Sequence, residues 1–216
     1  MSAMMWLVLA AQLSLPVPAN ERIPDVRALF SVDDFPEYLQ RAGVSRIVYT
    51  RTTVRPDGTV QGCKAEISST DAKLDAYTCR IILRRAKLLP ARWTDGTPVF
   101  GVLRLPVSWL ITNFLPSRED MLRVTIPDVE VSVDRLPKKA GSMAAVTLQV
   151  AADESGRPVT CIDYPPEKSD SKRFPELVPL ACQQVMATLK LTPAVDDSGK
   201  AVRSVQSVSV HFMTDR

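Results

Sequence analysis

The sequence predicts an α+β protein made of two tandem strand-strand-helix-strand modules, each a three-stranded antiparallel sheet with one helix on a face. Three observations predict it: landmarks around two cysteines recur at a constant shift, turn residues punctuate the extended stretches, and a helical stretch follows each hairpin. Cys79 is followed by Pro90-Ala91, Gly96 and Trp109, and Cys182 is followed at the same offsets by Pro193-Ala194, Gly199 and Phe212, a shift of 103 residues. Gly58 stands five residues before Cys63 and Gly156 five before Cys161, so only the stretch between the cysteines differs in length. Self-similarity of this kind marks repeated structural units. The expected organisation is a signal peptide over 1–19, a first module over 35–110, a linker over 111–142 and a second module over 143–213.

Residues 1–19 carry no charged side chain, and Trp6 to Leu15 is apolar apart from Gln12 and Ser14. A transmembrane helix needs roughly 20 apolar residues, and Pro16 and Pro18 end this run early. The segment therefore reads as a secretory signal, with Val17-Pro18-Ala19 as a small-x-small site before Asn20. An uncleaved anchor and a buried N-terminal segment are the other readings.

In the first module, Arg46 to Val54 is rich in Val, Ile, Tyr and Thr, Pro56-Asp57-Gly58 supplies a turn, and Thr59 to Ile67 is extended again. That is a hairpin pattern. Ser68, Ser69 and Thr70 offer helix caps, and Ala72, Ala76, Cys79, Leu83 and Ala86 recur at helical spacing until Pro90. After Asp95-Gly96, Pro98 to Trp109 alternates as a third strand. The second module repeats the order with Ala144–Val150, a turn at Ser155-Gly156, Pro158–Ile162, a helix ending near Leu189, and a strand from Ala201 to Phe212. Its helix carries an apolar stripe of Val178, Ala181, Cys182, Val185, Met186 and Leu189, the pattern of a helix buried on a sheet. The linker holds a short alternating run, Val129 to Val133, which reads as one extra strand.

Composition narrows the function classes. A 45% hydrophobic content excludes a mostly disordered chain. The net charge of +3 is too small for a dedicated nucleic-acid binder. Four cysteines without CxxC spacing resemble neither a zinc site nor a redox motif, and their even number suits pairing in an oxidising compartment. Four cysteines permit three pairings. Cys63 shares strand parity with Ala65 and Ile67, facing the helix that carries Cys79. The favoured pairing is Cys63 with Cys79 and Cys161 with Cys182, each closing a short loop worth roughly 3 kcal/mol. Such a staple suits a module too small to be comfortably stable alone.

Phe35-Pro36, an alternating strand, PDGTV at 56–60, SST at 68–70, LLPARWTDGTPV at 88–99 and a closing aromatic together resemble the C-terminal domain of TonB, the periplasmic energy transducer. Residues 136–213 keep the Leu136-Pro137, SGRPVTC, LTPA and DDSGKAV landmarks of the same pattern, and the cysteines resemble those of a TonB-like subgroup. The resemblance implies a three-stranded antiparallel sheet with a helix on one face, able to accept an extended peptide along an exposed strand edge. It makes the third strands the docking edges: Val99, Gly101, Leu103, Leu105 and Val107 in the first module, Val202, Ser204, Gln206, Val208 and Val210 in the second. A TonB transducer also has a retained membrane helix and a long Pro-rich spacer. Here the 17 prolines are scattered and about 15 residues separate Ala19 from the first module.

Catalytic readings are weak. His211, the single histidine, adjoins an aromatic at a strand end, and Ser68 and Ser69 stand where a helix needs a cap. Asp33-Asp34 and Glu119-Asp120 read as solvated loop charges. Arg80, Arg84 and Lys87 share a helix face beside Arg85, which reads as a solvated face or as a grip on an anionic cell-wall polymer. No enzyme activity, metal or small-molecule cofactor is expected. Three readings follow: a periplasmic module that binds a periplasmic or outer-membrane protein or peptide by strand addition, an inner-membrane-anchored energy transducer, and a structural pseudo-dimer whose third strands pair and cover both edges.

Overall fold

Strand β1 (Arg46–Val54) pairs antiparallel with β2 (Val60–Ile67) across the Pro56-Asp57-Gly58 turn and, on its other side, with β4 (Pro98–Trp109) over its whole length. This computed structural model describes residues 29–111, 126–138, 140–163 and 173–214. The expected signal segment and residues 112–125 of the expected linker lie outside them. A 3-10 turn (Val32–Asp34) and helix α1 (Glu37–Ala42) precede β1, and α2 (Ala72–Arg85) lies between β2 and the two-residue strand β3 (Ala91–Arg92). Then come β5 (Val129–Val133), β6 (Met143–Ala152), β7 (Pro158–Asp163), α3 (Leu177–Thr188), β8 (Ala194–Val195), β9 (Ala201–Val202) and β10 (Ser204–Thr214). The protein is thus mixed α+β, with one large sheet and few helices.

The strand order β2-β1-β4-β10-β6-β7 makes one continuous sheet, with β3 beside β4 and β5 beside β10. The join at its centre is a parallel pairing of β10 with β4, in which Ser204, Val205 and Gln206 lie opposite Phe100, Gly101 and Val102. Beyond it the two strands part, and β5 runs parallel to β10 from Val210 to Thr214.

Side-chain parity fixes where the helices sit. Val99, Leu103, Val107 and Trp109 of β4 belong to the first core, together with Leu74, Ile81 and Ile82 of α2. Val205 lies opposite Gly101 and joins that core, as does Ala151 opposite it on β6. Val208, Val210 and Phe212 have the other parity and form the second core with Leu177, Ala181 and Val185 of α3. Successive strand residues point to opposite faces. The two helices therefore cover opposite faces of one sheet.

The helix phases and caps differ in part from expectation. The N-cap of α2 is Asp71, which accepts from the Lys73 and Leu74 amides at 2.9 and 3.2 Å. Ser68 and Ser69 donate their hydroxyls to Asp75 instead. The inward side of α2 is Leu74, Thr78, Ile81 and Ile82, whereas Leu83 is 45% exposed. Both stripes have helical spacing, and the bulkier, branched one packs on the sheet. On α3 the inward side includes Leu177 as well as Ala181 and Val185, and Met186 faces outward.

Two turns fix the hairpins to the chain leaving each helix. The Leu88 amide donates to Gly58 O and the Leu191 amide to Gly156 O, both at 2.9 Å. Both glycines have positive φ.

Candidate interaction edges

Each cysteine on a second strand is bonded to the helix above it: Cys63 to Cys79 with a Cα separation of 5.3 Å, and Cys161 to Cys182 with 5.6 Å. No cysteine is free. The bonds tie β2 to α2 and β7 to α3, on opposite faces of the sheet.

Contrary to the expectation from sequence, the third strands are not a pair of open edges. Val202 lies in β9 opposite Ala194 of β8. Ser204 and Gln206 lie between β6 and β4, Val208 is opposite Leu148, and Val210 lies between Val146 of β6 and Val129 of β5. The gap between the two flanking strands is closed by Asp128, whose amide donates to Ser209 O and whose carboxylate accepts from the Ser209 amide, both at 2.8 Å. Val99 is opposite Ala91 of β3, and Gly101 opposite Val205. Gly101 and the stretch from Ser204 to Val210 are bordered on both sides and have no unpaired row to offer.

Leu103, Leu105 and Val107 stand differently. They pair with Thr52, Thr50 and Val48 of β1, while no described strand pairs with their other side. The Leu105 carbonyl faces β1, where Thr50 Oγ1 donates to it at 3.0 Å. By alternation, Arg104, Pro106 and Ser108 turn their backbone groups outward. Pro106 there costs no bond to β1, which suits a proline at an edge. An incoming strand would meet both groups of Arg104 and Ser108 but only the carbonyl of Pro106.

Beside this open stretch lies a groove of about 950 Å³, walled by Leu29–Asp33, the end of α2 and residues 105–111. Its floor is Trp109, whose ring meets Phe30 edge-on at 5.4 Å and Phe35 at 6.1 Å and lies 5.8 Å from Tyr77. The indole is pinned by a 3.0 Å bond from Nε1 to Thr78 Oγ1. An aromatic held on several sides makes a rigid apolar floor.

The two outermost strands are protected. β2 carries exposed Lys64, and β7 is six residues long and starts with Pro158. Charges, prolines and shortness are the ordinary means of blunting an edge.

A chain of charges braces the wedge between β4 and β5. Arg104 binds Glu66 at 2.8 and 3.0 Å and Asp128 at 2.6 and 2.9 Å, and Arg51 binds Glu66 at 2.9 Å. Burial alone would raise the Glu66 carboxyl, but the Arg104 and Arg51 guanidiniums hold it below its ordinary value. At the matching places in the second half, Gln149 donates to Ser207 at 2.9 Å. Arg51, Glu66, Arg104 and Asp128 are far apart in sequence, and only strand pairing assembles them. The sequence carried no local signal for this brace.

His211 is 3% exposed, and its Nε2 has no hydrogen-bond partner among the described residues. Burial pushes its imidazole below the ordinary value, with nearby Glu130 and Asp128 opposing and Arg104 reinforcing the shift. Ser68 and Ser69 are engaged with Asp75, and Asp34 is paired with Arg85 at 2.6 and 2.9 Å. Glu119 and Asp120 lie outside the described residues. Among the described residues no cluster of His, Cys, Asp and Glu has the makings of a metal site, and no helix is long and apolar enough to cross a membrane.

No family model, curated protein or solved structure matches the chain.

Proposed function

We propose that this protein is a non-catalytic binding protein of the periplasm, made of two copies of one strand-strand-helix-strand module fused through their third strands. It takes an extended segment of a partner protein along the outer side of Leu103–Trp109. The observation that carries this reading is the coincidence of a strand stretch that has no partner strand among the described residues with an apolar groove beside it. Strand addition needs both, since backbone bonds supply affinity and alternate side chains need a pocket. Parallel third strands with helices on opposite faces are what a half-turn about the strand direction produces, which supports duplication. The two disulfides support an oxidising compartment. The resemblance to the TonB C-terminal domain points to the N-terminal peptides of outer-membrane receptors as ligands to try first.

The test is amide NMR of the ¹⁵N-labelled full chain titrated with such peptides. Shifts are expected at Arg104 and Ser108 and in the Trp109 indole. Ser108→Pro removes an outward amide without touching the ladder to β1, and it is expected to abolish the shifts in a folded protein. Shifts confined to β2 or β7 would refute the assignment.

The pairing of β10 on both sides favours a second reading, a structural pseudo-dimer with no docking site. It predicts that no peptide shifts any amide of β4.

A further inference from the structure

Because α2 turns Leu74, Thr78, Ile81 and Ile82 onto the first core, its opposite side faces solvent. There Arg80, Leu83 and Arg84 are exposed, and just past the helix end so are Lys87 and Leu89. Leu83 and Leu89 are 45% and 48% exposed, so the same stretch of chain exposes two large apolar side chains and three cations. Arg80 lies over the Tyr77 ring at 5.4 Å. Among the described residues, neither it nor Arg84 nor Lys87 has a carboxylate partner, although Arg41, Arg51, Arg55, Arg85 and Arg104 all have one. The nearby acids are already engaged: Asp34 by Arg85, Asp71 by the start of α2, and Asp75 by Ser68 and Ser69.

The fold does not require the two arginines, although Lys87 has a counterpart in Lys190. At the shift of 103, α3 has Gln183 in place of Arg80, Met186 in place of Leu83 and Ala187 in place of Arg84. Both helices end alike, with the Ala86 amide on Ile82 O and the Leu189 amide on Val185 O. Compensation of the helix dipole is thus no reason for the cluster, since α3 ends the same way with no basic residue in its last turn.

We propose that this end of α2 is a docking surface for an anionic phospholipid bilayer. Each cation near such a surface is attracted to it, and apolar side chains set among the cations enter the interfacial layer. A soluble polyanion would engage the cations and gain nothing from Leu83 and Leu89. The apolar pair therefore selects a bilayer.

The test is co-sedimentation of the full chain with vesicles of phosphatidylcholine alone or with about 30% phosphatidylglycerol. Binding is expected on the anionic vesicles only, weakening as salt rises. The triple substitution Arg80→Gln, Arg84→Gln, Lys87→Gln is expected to lower partitioning on the order of a hundredfold. Leu83→Ser with Leu89→Ser is expected to lower it by about tenfold. Circular dichroism should be unchanged in both variants. Equal binding to neutral vesicles, or binding unmoved by the triple substitution, would overturn the proposal and leave the apolar run at 6–15 as the lipid-binding element. A serine pair that binds anionic vesicles as the parent does, with dextran sulfate competing, would overturn it in favour of a soluble polyanion.

Discussion

Gly58 and Gly156 hold equivalent places, with φ of 84° and 81°. A Cβ on them would lie 2.1 Å from Leu88 O and 2.0 Å from Leu191 O. Gly58→Ala and Gly156→Ala are each expected to cost roughly 3 kcal/mol, read as a lower urea midpoint at unchanged slope. Gly96 has a similar φ but open space around it, so Gly96→Ala should cost only about 1 kcal/mol. The turns were legible from Pro-Asp-Gly and Ser-Gly, but the clash was not, because Leu88 and Leu191 are 30 or more residues away. Titration also belongs at this scale. Hydrogen bonds from Arg85, then from Ser31, hold the Asp34 carboxyl at about 2, against an ordinary 3.8. Its folded value is depressed, so its contribution is complete above 3.8 and is lost as pH falls toward 2. Asp34→Asn should flatten that part of the stability curve. His211 is also depressed, from 6.5. A buried neutral imidazole resists protonation, so its contribution is complete above 6.5 and erodes as pH falls below it. His211→Gln should remove this loss in melts taken between neutral pH and about pH 5.

Among the elements, the hairpins, helices α2 and α3 and the long third strands were legible from alternation and turn chemistry, and so was the short strand at Val129–Val133, whereas α1 was not foreseen. The phase of α2 was not. Of the expected stripe, Cys79 and Ala86 are buried but Ala72, Ala76 and Leu83 are exposed, and period alone does not choose between two neighbouring stripes. Its cap was missed for a related reason: Ser68, Ser69, Thr70 and Asp71 are all good caps in isolation, and only the path of the chain selects Asp71. Asp71→Ala should cost about 1 kcal/mol, measured by thermal melts. The two-residue strands β3 and β8 are too short to leave any periodicity. The sulfur bridges close separations of 16 and 21 residues. Replacing either pair by alanines should cost about 3 kcal/mol by the loop-entropy estimate.

At the scale of the whole molecule, pairing of the third strands was one of three readings of the sequence, but the parallel direction and short register of the join between β4 and β10 were not legible. Ser204 to Phe212 is buried at every position, yet the alternation of Ser and Gln with Val reads as a strand with one wet face. Small polar side chains such as Ser207 and Ser209 pack inside without changing that pattern. Three residue pairs of parallel backbone also leave no signature in composition. The join nevertheless carries side chains across, since Ala151 and Val205 are part of the first core. Arg55 reaches Asp197 at 2.8 Å and Arg51 reaches Gln206 at 3.3 Å. Calorimetry should therefore show one transition, and Val205→Ala should lower it as a unit by roughly 2 kcal/mol. Opposed helices have a further consequence. A body approaching α2 meets none of the surface that α3 presents, so two neighbours arriving from above and below never compete for room.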